Sequence, residues 1–533
     1  MTRLPTGRGL ARGSIRAAAG AAAMTLALAS LAPAANAADS APSTNMPWIE
    51  AASDADIAKV FADAGAQHKP VLLYWGAVWC PPCNQLKATL FNRQDFAERS
   101  KSFVAVHLDG DSPGAQKLGT RFKVVGYPTL ILFSPEGREL TRLPGDVDAP
   151  QVLQVLDLGL ASGRPIAQVL ADARAGKPLA GSEWRLLAFY SWDTDEAALL
   201  PQTQRAATLR QLAAACPASE AEAGTRLMLK SLVDDNSKDL PPADAATHER
   251  VLKLLADPVQ ARAFMDVLTN AAPDLVTALA PQAGPDRAAF VRTLDSALAR
   301  LQADATLSRA DRLQALFARV DLARLDQPKD TRHPKLPEPL VREVRDAAAH
   351  ADREVTNAFE RQSVITEAAQ LLAEAGLWSE SDALLRSSLP KSHSPYYLMS
   401  ELGANARHEG RPAEALGWYR QAWEKSEGPA TRLQWGAAYL SVLVDLAPQD
   451  DRQIEAVARS MIGEAAGQPG AFYERSGRAL QRMSDKLVTW NASAGGKHRV
   501  ALERLSGELQ GTCAKLPPGA PDRATCDGLL KPA

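Results

Sequence analysis

The stretch "VLLYWGAVWCPPCNQLK", residues 71–87, decides how the first part of this chain folds. Its opening run, Val71 to Trp75, is continuously apolar, as in a strand covered on both faces. Trp79 follows, and then two cysteines, Cys80 and Cys83, separated only by Pro81 and Pro82. A Cys-x-x-Cys placed where a strand ends and a helix opens has a specific physics. The first cysteine sits at the helix N-terminus, where unpaired backbone N–H groups and the helix dipole favour a thiolate. The second lies one turn further in, near enough to close a disulfide and too covered to attack first. Cys80 is therefore read as the nucleophile and Cys83 as the resolving thiol. Proline is tolerated at both intervening positions because first-turn N–H groups have no partner within the helix. The same prolines remove two donors from beside Cys80, so the sign of any effect on its acidity stays open.

No metal is expected. A zinc site would need two more ligands at sensible spacing; Cys513 and Cys526 are remote, and the eight histidines, His393 and His408 among them, are scattered. An inert structural disulfide is the other bland reading of the pair.

Outward from this stretch, residues 48–161 alternate between helical and strand patterns. "DADIAKVFADAGAQ" has helical spacing, and so does "NQLKATLF" after the cysteines. "SFVAVHL" (102–108) reads as a strand and "GAQKLGTRF" as a short helix. "TLILF" (129–133) and "RELTRL" (138–143) read as a hairpin turned at Pro135 and Gly137, and "APQVLQVLDLGLA" closes the unit as a helix. The expected order is α-β-α-β-α-β-β-α.

The N-terminus has the character of a secretory signal peptide over residues 1–37. Arg3, Arg8, Arg12 and Arg16 precede a small, apolar stretch, and Ala35-Asn36-Ala37 fits a small-x-small cleavage site. Export would make disulfides or redox machinery the natural state of the five cysteines. Cys513 and Cys526 flank a proline-rich loop and are expected to form a structural disulfide, while Cys216 is expected to be a buried, small apolar thiol. The formal net charge of −2 and the lack of a basic stripe argue against a nucleic-acid partner. No later segment is apolar enough to span a membrane.

A chain of 533 residues is too long for one core. After Ser162 the pattern is helical to the C-terminus. Four prolines within residues 325–339 mark a second boundary. The expected division is 38–162 as an α/β domain, 163–330 as a helical domain and 331–533 as a second helical domain. In the last, a 34-residue offset maps Ala369 to Gly403, Gly376 to Gly410, Leu385 to Tyr419 and Pro395 to Pro429. "LGANARHEGRPAEALGWYRQAWEKSEGP" resembles a tetratricopeptide repeat, whose small residues let paired helices approach. Tyr396, Tyr397, Trp418, Tyr419, Trp423 and Trp435 cluster here. They are read either as core between helices or as the lining of a groove for a peptide partner.

"WCPPC" (79–83), "GYPT" (126–129) and "LILFSPEGREL" (130–140) together resemble the thioredoxin superfamily. "KPVLLYWGAVWC" and "ATLFNRQDFAERSKSFVAVHLD" look most like its periplasmic disulfide-interchange branch. The resemblance covers residues 48–160 and implies a mixed central sheet with flanking helices. It implies that Trp79 shields the disulfide, that Pro128 takes the cis form beside the cysteines, and that Tyr127 offers its backbone to an extended substrate. It also implies protein thiol or disulfide substrates, a redox partner that regenerates the active state, and no cofactor. One departure stands out: the family's buried aspartate, six residues before the first cysteine, is Tyr74 here, and "FVAVHL" carries no lysine. A phenol of pKa near 10 is a poor base at neutral pH. Two functions compete: an exported thiol–disulfide oxidoreductase with a helical partner-binding extension, and a non-enzymatic helical scaffold whose first domain only docks peptides. The direction of electron flow is open in either case.

Overall fold

A computed structural model of the chain describes residues 46–145, 147–192 and 199–531. Residues 1–37, read above as a signal peptide, lie outside the described residues. Five strands form one mixed sheet: β1 (Ile49–Glu50), β2 (Val71–Gly76), β3 (Val104–Asp109), β4 (Thr129–Phe133) and β5 (Glu139–Leu143), in the order β1-β3-β2-β4-β5. β3 runs parallel to β2 and β1, while β4 is antiparallel to β2 and to β5. β1 is the strand missing from the expected order; two residues are too few for any periodicity to register.

Helices α1 (Asp54–Ala66), α2 (Pro81–Leu86), α3 (Gln94–Arg99), α4 (Ala115–Phe122) and α5 (Ala149–Ser162) cover the sheet. The alternation of β2 sorts them. Val71, Leu73 and Trp75 face α1 and α4, in a core with Ile57, Val60 and Leu118. Leu72 and Tyr74 face the other way, in a core with Leu86, Phe96, Val152 and Leu156. Both faces of β2 are thus buried, which is why its sequence shows no polar alternation. A π-helical turn over Lys87–Phe91 extends α2.

Among the described residues no strand follows Leu143, and the rest of the chain is helical. The core on the α5 side runs on without a break through Trp184, Leu187, Tyr190 and Trp192 to Leu227. Helix pairs stack in the last third. Pro395 and Pro429, 34 residues apart, each open a helix, and Gly376 and Gly410 each end a turn between paired helices. At Gly403 a Cβ would lie 2.8 Å from Tyr419, so only glycine permits this approach of helices Pro395–His408 and Pro412–Lys425. Cys513 and Cys526 form a disulfide (Cα–Cα 5.6 Å) that ties the helix Arg499–Cys513 to Pro521–Gly528. Cys216 is a free thiol, half-buried rather than fully enclosed, and burial pushes its pKa up.

Candidate active site

The site forms where β2 hands over to α2. Cys80 is the cap residue of α2, with Pro81 and Pro82 in the first two helical positions. Pro82 is exposed, but Cys80 is 2% exposed and Cys83 is 0%. The two sulfurs are joined in a disulfide with Cα atoms 5.3 Å apart. The Cys83 N–H donates to Cys80 Sγ at 3.2 Å, and it is the local backbone donor that the prolines leave there. Asn84 ties the loop down, donating from Nδ2 to the carbonyls of Val78 (2.7 Å) and Cys80 (2.8 Å).

The turn before β4 closes over the pair. The Tyr127–Pro128 bond is cis, and the Tyr127 carbonyl lies 3.5 Å from Cys80 Sγ. The Tyr127 ring lies against Gly110, at the end of β3, where a Cβ would meet its hydroxyl at 2.2 Å. Gln116 on α4 donates to that hydroxyl (3.3 Å) and to the Gly110 carbonyl (2.6 Å). On β2, Tyr74 is buried between Phe91 and His107, and its hydroxyl has no hydrogen-bond partner. Burial, with Asp109 adding to it, pushes the phenol still further above its ordinary value. It is a neutral side chain at any physiological pH.

The helical extension completes the site. Trp79 Nε1 donates to Thr431 Oγ1 (2.8 Å), and Gln362 Nε2 donates to the Trp79 carbonyl (3.0 Å). The Trp79 ring stacks on Tyr397 (5.9 Å between centroids) and meets Trp435 edge-on (5.3 Å). The Arg475 guanidinium lies 4.3 Å from the centre of the Trp79 ring and 5.2 Å from that of Tyr127. Asp111, in the loop after β3, accepts from the Thr431 N–H (2.7 Å) and hydroxyl (2.6 Å) and so caps the helix Pro429–Leu446 from outside it. Gln116 Oε1 accepts from the Arg475 N–H (2.9 Å), and Arg478 donates to the Val125 carbonyl (2.9 Å). On the other flank, the helix Ala358–Glu374 packs along α2, and Gln85 donates to Asp311 Oδ1 (2.9 Å).

Of the residues singled out from sequence, Cys80, Cys83, Trp79, Tyr127 and Pro128 come together, and Cys513–Cys526 lies apart from them. Trp435 is buried in the helical core and Tyr397 packs against that core, and both rings also pack on Trp79. Asp111, Gln116, Gln362, Thr431 and Arg475 were missed. They are polar residues in unremarkable helical or loop contexts, up to 395 positions from the cysteines, and nothing local distinguishes them. Among the described residues no three His, Cys, Asp or Glu side chains gather as a metal-binding set.

A helix-capping cysteine pair after a central strand, beside a cis-proline turn on a mixed sheet, defines a thioredoxin-like domain. Residues 57–159 match the family model described as thioredoxin-like domain. The thiol:disulfide interchange protein DsbD of Pseudomonas fluorescens is 33% identical over 106 residues, 19% of this chain and 18% of that protein. The protein of the same name from Yersinia pestis is 30% identical over 119 residues, 22% of this chain and 18% of its own length. Among solved structures, one titled DsbH oxidoreductase is 20% identical, covering 22% of this chain and 85% of its own, with a TM-score of 0.19. The chain spans less than a fifth of the length of the curated relatives it matches.

Proposed function

We propose that this chain is an exported thiol–disulfide oxidoreductase acting on protein substrates through Cys80 and Cys83. The observation that carries the reading is the pair itself: two sulfurs within disulfide reach at the start of α2, beside the cis Tyr127–Pro128 turn. In the reducing direction, the Cys80 thiolate attacks a client disulfide and forms a mixed disulfide, releasing one client thiolate. Cys83, once deprotonated, attacks Cys80 Sγ. The second client sulfur leaves with the electron pair, and the client has gained two electrons while Cys80–Cys83 is oxidised. A redox partner then restores the dithiol. The oxidising direction is the same sequence reversed. The backbone at Tyr127 docks an extended client segment as an added strand.

In this reading residues 38–162 carry the chemistry, and the helices of 163–330 and 331–533 govern access to it. Export to the periplasm rests on the character of residues 1–37. The extension offers a client surface in the groove of about 680 Å³ between helices Pro285–Ala303, Arg309–Arg324 and Glu338–Glu354, floored by Leu313, Leu316 and Val364 and rimmed by Arg312, Arg319 and Glu343. The enclosure of Cys80 favours a second reading, a scaffold in which the domain only docks peptides. Redox equilibration of the whole chain with glutathione, followed by alkylation, separates the two. A pair that cycles between dithiol and disulfide at accessible potentials supports the enzyme. A pair that stays oxidised throughout refutes it.

A further inference from the structure

We infer that Arg475, supplied by the helical extension, is a positioning residue that sets the acidity of Cys80 and hence the redox poise of the pair. The inference deepens the proposed function and rests on Cys80 as its nucleophile.

The local helix is poorly equipped for the task. α2 has six residues, and two of its first-turn donors are lost to Pro81 and Pro82, leaving the Cys83 N–H on Cys80 Sγ. The nearest cation on the same element, Lys87, is turned away, with its Nζ over the Phe359 ring at 5.4 Å. Arg475 is placed differently. Trp79 and Tyr127 pack directly on Ala77, Cys80 and Cys83, and the guanidinium lies against both rings. It is held there by its own N–H on Gln116 and by the guanidinium's hydrogen bond to Gln434. Its Nη1 is shut from solvent and meets no acceptor.

Charged and titratable groups face Arg475 and the pair from several elements. Asp111, in the loop after β3, opposes the cation, and Asp109, at the end of β3, lies behind it. Burial raises the pKa of Asp111, and its carboxylate is already shared with Thr431. Tyr74, on β2, is neutral. Beyond Trp79, burial pushes the Tyr397 phenol up, and Glu367 and Glu401 are pushed toward their neutral forms, Glu367 to about 8. His393, on the flank beyond α2, is pushed toward its neutral form by burial and Lys87. Arg478, one turn after Arg475, is spent on Glu474 and the Val125 carbonyl. Among the described residues Arg475 is the cation in ring contact with both Trp79 and Tyr127.

The chemistry follows. Reduction adds two electrons and two protons to the disulfide, and Cys80 then gives one proton to solvent. A guanidinium near the resulting thiolate stabilises the reduced form, which makes the pair a stronger oxidant. With one aromatic ring between them, a guanidinium and a thiolate in an effective dielectric of about 20 interact by on the order of one pKa unit.

The test uses the full chain. The ultraviolet absorbance of the reduced protein is titrated with pH to give the Cys80 pKa, and the redox equilibrium with glutathione is measured alongside. Arg475→Met and Arg475→Gln should raise the Cys80 pKa by about one unit and move the equilibrium toward the disulfide by up to about tenfold. Arg475→Lys should restore most of both, because it keeps the charge, and Arg459→Gln, whose guanidinium pairs with Glu455 and Glu508 outside the site, should change neither by more than about twofold. Should the methionine variant not fold, the glutamine and lysine variants decide. If glutamine leaves both readouts at the wild-type values, or if lysine fails as glutamine does, the inference is overturned. A wild-type Cys80 that neither titrates nor exchanges would instead overturn the proposed function on which it rests.

Discussion

Replacing Thr431 by valine should open the redox face without touching the cysteines. Thr431 is fully buried, and valine matches its shape. The substitution removes the acceptor for Trp79 Nε1 (2.8 Å) and the hydroxyl that donates to Asp111 (2.6 Å), while the backbone bond from Thr431 to Asp111 stays. A neutral hydrogen bond contributes about 1 kcal/mol and one to a charged group about 1.5–3 kcal/mol, so the contact between extension and domain should weaken by about 2.5–4 kcal/mol. If Cys80, at 2% exposure, reacts only when that contact opens locally, the open population rises by the same free energy. At about 1.4 kcal/mol per factor of ten, that is roughly 60- to 700-fold. The assay is alkylation of the reduced, folded protein under pseudo-first-order conditions, with a bulky maleimide compared with iodoacetamide. The bulky reagent should gain the full factor and the small one less, because the small one needs less opening. A Thr431→Val protein that is destabilised as expected, yet alkylated by the bulky reagent within about threefold of the wild-type rate, would refute opening as the route to Cys80.

Three further outcomes are expected. Cys83→Ser should trap mixed disulfides with clients and Cys80→Ser should not, read by non-reducing electrophoresis; equal trapping would reverse or abolish the assigned roles. Tyr74→Phe should change the rate of disulfide reduction near neutral pH by less than about threefold, since burial raises an already high phenol pKa and leaves it protonated. Glu367→Gln should leave stability unchanged near pH 4 and raise it near pH 8. The folded carboxyl, with its pKa pushed up to about 8, stays protonated while the unfolded one ionises above about 4.5, so the wild-type chain loses stability across that interval. Because Glu367 keeps part of its surface open, the gain should be about 1–2 kcal/mol, and thermal melts at the two pH values would show its absence.

The chemistry of this chain is written locally. A strand buried on both faces needs only its own apolar run, and a cysteine pair at a helix start needs only four consecutive positions, so residues 71–87 announce both. Pro128, Tyr127 and Trp79 were legible through their motif, since a backbone turn and its neighbours are close in sequence. The 34-residue spacing of Pro395 and Pro429 was legible for the same reason: each helix pair repeats a local plan. Where the helices go was not. The contacts Trp79–Thr431, Gln362–Trp79 and Arg475–Tyr127 join residues hundreds of positions apart, through single hydrogen bonds and ring faces that leave no periodic trace in either segment. The aromatic cluster of the last third likewise had two readings, because a ring packs equally well on a core or on a partner; only the placement of Trp79 beside Tyr397 and Trp435 selects between them. Sequence alone determined which two sulfurs can pair, and tertiary packing decided that they lie beneath helices of the extension, because burial is a property of surfaces that meet only once the whole chain has folded.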